Sequence, residues 1–309
     1  MTIHTLGMTP ALDVVYVLDD VRLGAIHRPP VVIRSAGGKS LNVARALARL
    51  GEPVRAIAPL GGRIGDLIVD LLAEGEVEVD RIHTAVETRQ CVTACDTTAR
   101  ALTEFYEPVT AFDVPLDDIA HRTRSVRPGE WLTISGAVPA GVDADALARL
   151  LAAETARGVQ LAVDVHGPAL GEIIVQARPR IVKVNRAEAA GLTGVSDPER
   201  AAQLLVERGA HTAIVTDGEA GSHAVTVSGE HIVSRPVDRP GLFPVGSGDC
   251  FLAGLVSVLA HGGTLREALA VAARAGAANA QVPGAAVFDA GTVRATTVAS
   301  AYGTTDLGC

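Results

Sequence analysis

From residue 131 onward, apolar positions fall into two alternating periods. Short runs at 131–134, 161–165, 181–185 and 213–216 are nearly continuous in Leu, Ile, Val and Ala, the pattern of strands buried on both faces. Segments 143–157 and 199–208 repeat apolar residues every three to four positions, the period of an amphipathic helix. Strands and helices alternating at these lengths predict parallel βαβ units. The expected fold is therefore α/β, a three-layer αβα sandwich with a mostly parallel central sheet. Binding sites in such sheets lie at the carboxyl ends of the strands. Ser135, Asp164, Asn185 and Thr216 fall at those ends.

Residues 13–34 and 89–112 break this rhythm. They are rich in Val, Thr and Tyr, alternate in part and carry few helical signals, which predicts a small antiparallel sheet projecting as a lid. No internal repeat, low-complexity tract or long linker divides the chain, so residues 1–309 are expected to form a single domain carrying that lid.

Three glycine-rich turns offer chemistry. The first, Ser35-Ala36-Gly37-Gly38-Lys39-Ser40, opens a helix expected through Leu50, with Arg45 and Arg49 on its polar side. Gly-Lys-Ser suggests a P-loop, but that motif needs a glycine five positions before Gly38, where Ile33 stands. What remains is either a close backbone approach to an anion at a helix start, or a tight turn with a solvated lysine. The second, Thr216-Asp217-Gly218-Glu219-Ala220-Gly221, follows a strand and by itself reads only as a turn. The third, Pro244-Val245-Gly246-Ser247-Gly248-Asp249, precedes a helix expected over 249–260. Gly246, Ser247 and Gly248 are placed to aim successive backbone N–H groups at one anion, with the helix dipole behind them. Asp249 in the first turn fits either an N-cap or a general base.

Composition narrows the partners. The chain is 48% hydrophobic but only 3% aromatic, so small aliphatic side chains must fill a large core. A net charge of −8 leaves no basic excess for a nucleic-acid backbone, and any phosphate ligand needs local counter-charge. Of 27 basic residues only Lys39, in the first glycine turn, and Lys183, two residues before the strand end at Asn185, are lysines. Cys91, Cys95, Cys250 and Cys309 form no CxxC pair and no disulfide framework, so free thiols are expected. Residues 1–6 lack a signal-peptide plan, and the longest clean apolar run, 250–260, is too short to span a bilayer. A cytoplasmic protein with no membrane partner is expected.

Taken in order, these segments resemble the ribokinase-like (PfkB) family of carbohydrate kinases, especially its 1-phosphofructokinase and tagatose-6-phosphate kinase branch. The N-terminal signature is matched by residues 37–44, and the more specific C-terminal one by Pro244 to Asp249 with Phe251, Ala253 and Gly254. Thr88-Arg89, Ser135-Gly136-Ala137-Val138-Pro139 and Lys183-Val184-Asn185-Arg186-Ala187-Glu188 fall between them.

The resemblance implies an ATP- and Mg²⁺-dependent kinase of a phosphorylated ketohexose, of fructose 1-phosphate or tagatose 6-phosphate type. Asp249 is implied as catalytic base, with Gly246, Ser247 and Gly248 as the anion hole. Asn185 and Glu188 are implied to organise the metal through water, and Lys183, Asn185, Thr216, Gly218 and Gly221 to bind nucleotide. Asp13, Gly37, Gly38, Asn42 and Ser135 are implied on the sugar side, with Lys39 and Arg89 paired on the sugar's phosphate. A homodimer through the lid is a further expectation. The chain departs from the family pattern at Thr9, Ser40, Val184 and Tyr106, mostly on the sugar side. The rival readings are a kinase of an unphosphorylated sugar or nucleoside, and a non-catalytic sugar- or nucleotide-binding regulator.

Overall fold

The computed structural model describes residues 1–109, 115–235 and 241–295. Cys309 and the last residues of the 89–112 stretch lie outside the described residues.

Both helices expected from the apolar period form within a residue of the expected limits, as Ala144–Ala156 and Pro198–Glu207. Each starts on an aspartate cap: Asp143 accepts from the N–H groups of Asp145 and Ala146, and Asp197 from that of Arg200. The apolar runs become strands of a nine-stranded sheet. Its order is His231–Ser234, Ser222–Thr226, Thr212–Thr216, Ile181–Asn185, Gln160–His166, Trp131–Ala137, Ile3–Leu6, Val54–Gly61, Glu78–Thr84. The seven from Thr212–Thr216 onward run parallel, and the first two close that edge as an antiparallel hairpin.

Strand side chains alternate between two cores, which makes the fold a three-layer α/β sandwich. Leu132, Ile134, Leu161, Val163, Val182 and Val184 face one helical layer. Ile3, Ala56, Ala58, Ala162 and Ile214 face the other, beneath helices Lys39–Arg49, Ser247–Ala260 and Leu265–Asn279. Small residues set the spacing there. A Cβ on Gly254 would stand 3.0 Å from the Ala272 Cα, so the last two helices touch almost backbone to backbone.

The chain leaves Ile3–Leu6 for the Val54–Gly61 side and later returns to its other side with Trp131–Ala137. Connections therefore diverge between Ile3–Leu6 and Trp131–Ala137, opening a crevice at the carboxyl ends of those strands.

The two irregular stretches do share a small separate sheet, ordered Val31–Gly37, Ala11–Leu18, Gln90–Asp96, Ala101–Tyr106. It is mixed rather than antiparallel, because Ala11–Leu18 and Gln90–Asp96 pair in parallel. The reason is their roots: each continues directly from a main-sheet strand, Ile3–Leu6 and Glu78–Thr84, and those strands point the same way. Among the described residues, no helix is long and apolar enough to cross a membrane.

Candidate active site

Glycines shape one wall of the crevice. Gly38 caps helix Lys39–Arg49 at φ 85°, and a Cβ there would come within 2.7 Å of the Thr9 carbonyl oxygen. A Cβ on Gly37 would strike the Asp13 carboxyl carbon at 2.1 Å. The turn thus lies flat against Thr9 and Asp13 with no space for side chains. Ser40, where the family pattern has glycine, is accommodated from the opposite side: its Oγ fills the place a Cβ on Gly7 would take.

The third glycine turn forms the facing wall. Gly246, left-handed at φ 81°, is the N-cap of Ser247–Ala260, so the helix begins two residues earlier than expected. Asp249 is therefore in the first turn proper and is not the cap. Its side chain is buried, and its Oδ2 accepts from Asn42 Nδ2 at 2.8 Å, which joins the two helix starts. Burial, then the nearby Asp164, pushes the Asp249 carboxyl up to about 7 against the pull of Asn42, Lys183 and Lys39. Of the three expected anion-hole donors, the Ser247 N–H donates to the Pro244 carbonyl at 3.0 Å and closes the turn, while Gly248 and Asp249 carry the next N–H groups of the helix's first turn.

Both lysines converge on one carboxylate. Asp164, fully buried, accepts from Lys183 Nζ at 2.8 Å and from Lys39 Nζ at 3.1 Å. Burial would raise its carboxyl, but the two ammoniums hold it below the usual carboxylate range. Lys39 also reaches Glu188 Oε1 at 3.3 Å. Burial would lower its ammonium, yet Asp164, Glu188 and Asp249 outweigh this and raise it above the ordinary lysine range. Arg89, the other cation expected on the sugar's phosphate, donates to the Glu107 carbonyl at 3.1 Å and the Thr9 carbonyl at 3.5 Å. Lys183 lies directly under Gly248, whose Cβ would be 2.8 Å from Nζ. A side chain at 248 would displace that ammonium from beneath the turn.

Asn185 and Glu188 form a reciprocal capping box at the start of Arg186–Thr193. Glu188 uses one oxygen for the Asn185 N–H and offers the other to Lys39, so both are engaged by protein donors. A magnesium ion here fits only through intervening water, which suits an ion that keeps much of its hydration shell.

A cavity of about 250 Å³ adjoins the Gly248 turn, lined by Thr216, Gly218, Gly221, Ser222, Ser247 and Phe251 among others. The turn at 216–221 and the helix start at 247 thus share one glycine-lined space. On the other side lie Asp13, pushed up to about 6 by burial against the pull of Arg45 and Arg89, and Ser135. The Ser135 Oγ and the Asn42 Oδ1 are buried without a hydrogen-bond partner, which is the state of groups awaiting a polar ligand.

Three functional supports escaped the sequence reading. From the polar side of their helix, the half-buried Arg45 donates to the carbonyls of Ala36 and Ala286, and the exposed Arg49 to those of Ala286 and Phe288. Burial, then Arg49, lowers Arg45 to about 10. Asn279, fully buried, donates to Val245 O and Ser247 Oγ and accepts from the Ala286 N–H, tying the catalytic-side turn to the 285–288 loop. Nothing in an alanine-rich helix marks that asparagine. Cys91, Cys95 and Cys250 are buried free thiols, as expected.

A family model for pfkB family carbohydrate kinases matches residues 10–290. Phosphofructokinase-2 of Escherichia coli, solved in complex with substrates and products, is 28% identical with a TM-score of 0.88, covering 95% of this chain and 97% of that one. A Thermotoga maritima protein described as a possible 1-phosphofructokinase is similar in fold, with a TM-score of 0.79 at 24% identity over 95% and 96%. Arabidopsis thaliana ribokinase, complexed with ribose and ATP, shares the fold at a TM-score of 0.75 and 21% identity over 94% and 97%. With that match spanning both glycine turns and the strand ends between them, the chain belongs to the pfkB family of carbohydrate kinases and is an ATP-dependent sugar kinase.

Proposed function

We propose that the enzyme transfers the γ-phosphoryl group of ATP to a primary hydroxyl of a phosphorylated ketohexose. The observation that carries this reading is the Asn42–Asp249 bond: a buried carboxylate, raised to about 7, held at the rim of the nucleotide cavity. Asp249 accepts the hydroxyl proton as the new bond to phosphorus forms. The N–H groups of Gly248 and Asp249 and the Lys183 ammonium beneath them meet the charge that develops on the phosphoryl oxygens. Asn42 fixes the carboxylate, and with Asp13 and Ser135 grips the sugar. Mg²⁺, when bound through water at Glu188, supplies further neutralisation of the phosphates.

Arg89 holds the sugar's existing phosphate at the far end of the crevice. A coupled ADP-release assay across fructose 1-phosphate, fructose 6-phosphate, tagatose 6-phosphate, ribose and adenosine tests the class; turnover confined to the last two would overturn it. Arg89→Ala is expected to raise the KM for the sugar phosphate about 10–100-fold, the range of one charge-assisted hydrogen-bonding group, with kcat little changed. An unchanged KM would remove Arg89 from the phosphate site. One observation favours a kinase of an unphosphorylated sugar: the Lys39 ammonium is already engaged by Asp164 and Glu188. The same panel separates the two.

The small sheet serves as the lid, and the single-domain reading includes it. Between Asp13 and Cys91 on the lid and Val245 and Gly284 opposite, only about 30 Å³ is open, room for water and not for a hexose. The lid must therefore lift to admit sugar and close to exclude water. Val32 and Phe105 are exposed on one face of the small sheet, an apolar surface suited to a second copy. Sedimentation of wild type as a dimer and of Val32→Glu/Phe105→Glu as a monomer is expected; identical sedimentation would exclude this face.

A further inference from the structure

The hairpin that closes the main sheet carries a second group of coordinating side chains, outside the crevice. Cross-strand register pairs His223 with Val233 and Val225 with His231, so both imidazoles leave the same face of the hairpin on a diagonal. Their rings stack at 5.4 Å between centroids and 20° between planes. His223 Nδ1 lies 3.3 Å from His231 Nε2. Glu199, in the first turn of helix Pro198–Glu207, brings a carboxylate oxygen 3.3 Å from His231 Nδ1. One ligand atom from each of the three lies within 4.8 Å of the others, and all three residues are half-buried.

A tetrahedral ion with metal–nitrogen bonds of about 2.0–2.1 Å has ligand nitrogens roughly 3.3–3.4 Å apart. The two imidazoles already stand at that separation. Glu199 meets His231 at Nδ1, the ring nitrogen that does not face His223, and its carboxylate lies within 4.8 Å of a ring nitrogen on each histidine, close enough to complete a three-ligand set. The field also suits a cation: besides Glu199, the carboxylates of Asp197 and Asp217 act on His223.

We propose that Glu199, His223 and His231 bind one divalent ion of the zinc class, through two imidazole nitrogens and a carboxylate, with the fourth position open to water. The ion would clip the hairpin to helix Pro198–Glu207. The opposite face of the same two strands presents Ser222 and Ser234 to the nucleotide cavity, so the site lies one sheet thickness from the nucleotide.

Untagged full-length protein, stripped by chelator dialysis and free of nucleotide, is titrated with Co²⁺ at pH 7.5. Wild type is expected to bind one equivalent more than His223→Ala/His231→Ala, with the visible absorption of tetrahedral cobalt, and to release it to one equivalent of Zn²⁺. Glu199→Gln should keep the equivalent but bind it about 10–100-fold more weakly. Circular dichroism checks that the double variant is folded; if it is not, His223→Gln replaces it. Equal stoichiometry in wild type and variant overturns the site.

Discussion

Asp249→Asn is expected to bind ATP with unchanged affinity by calorimetry and to lose turnover by roughly 10²–10⁴-fold, the usual worth of a positioned general base. The substitution keeps the shape of the side chain and leaves an amide oxygen to accept from Asn42, so the turn should not move. Turnover near wild type would end the assignment of Asp249 as the base. The pH dependence follows from the same burial. A base must be deprotonated, so kcat should rise with pH through a limb near 7, where the carboxyl is held. Asn42 lowers that value, so Asn42→Ala should move the limb to higher pH. Stability runs the opposite way from activity. With a folded pKa above the unfolded value near 3.8, the ionised Asp249 costs nothing below pH 4 and progressively more up to about 7. Asp249→Asn should therefore melt with wild type in acid and above it at pH 8, a direct reading of what the raised carboxyl costs the fold.

Asp164→Asn should be the most damaging substitution to the fold among the site residues. It removes the shared counter-ion of two lysines, one of them as buried as Asp164 itself. Deleting one partner of a buried pair typically costs about 3–5 kcal/mol, because the other charge is left unpaired. Urea denaturation at pH 7 measures it; a loss under about 1 kcal/mol would show that water or Glu188 replaces the pairing. Here the folded pKa is depressed, so the pair's contribution is fully present above the unfolded pKa near 3.8 and disappears as pH falls below it. The difference between variant and wild type should accordingly shrink only in acid. Lys183→Met in the same chain should recover part of the stability but none of the turnover, since the Gly248 turn would then rest on an uncharged side chain.

Four central strands and the helices Ala144–Ala156 and Pro198–Glu207 were legible because each carries its own apolar period, whereas the strands at both edges of the sheet were not read. The crevice was legible in outline for the same reason: strand ends mark it. Asp164 sat among those ends and yet showed no role, since nothing in sequence reveals that Lys39 and Lys183, separated by 144 positions, meet on it. Asp249 stayed ambiguous between cap and base until the backbone showed Gly246 in the left-handed cap position. The parallel pairing inside the small sheet was hidden because period-two alternation says that a strand exists and not which neighbour it takes. Arg45 and Arg49 lie on the polar side of their helix, but their anchoring was hidden: a long stem can carry each guanidinium back to loop carbonyls that sequence does not bring near.

The convergence of both lysines on Asp164 has a practical side. Every lysine side-chain amine in this protein belongs to one cluster at the centre of the crevice. Reductive methylation with isotopic carbon would therefore install reporters nowhere else along the side chains. The spectrum should hold one signal from the partly open Lys39, its neighbour under Gly248 being shielded from the reagent until the protein unfolds. A generic surface label becomes, in this chain, a spectroscopic view of the catalytic floor.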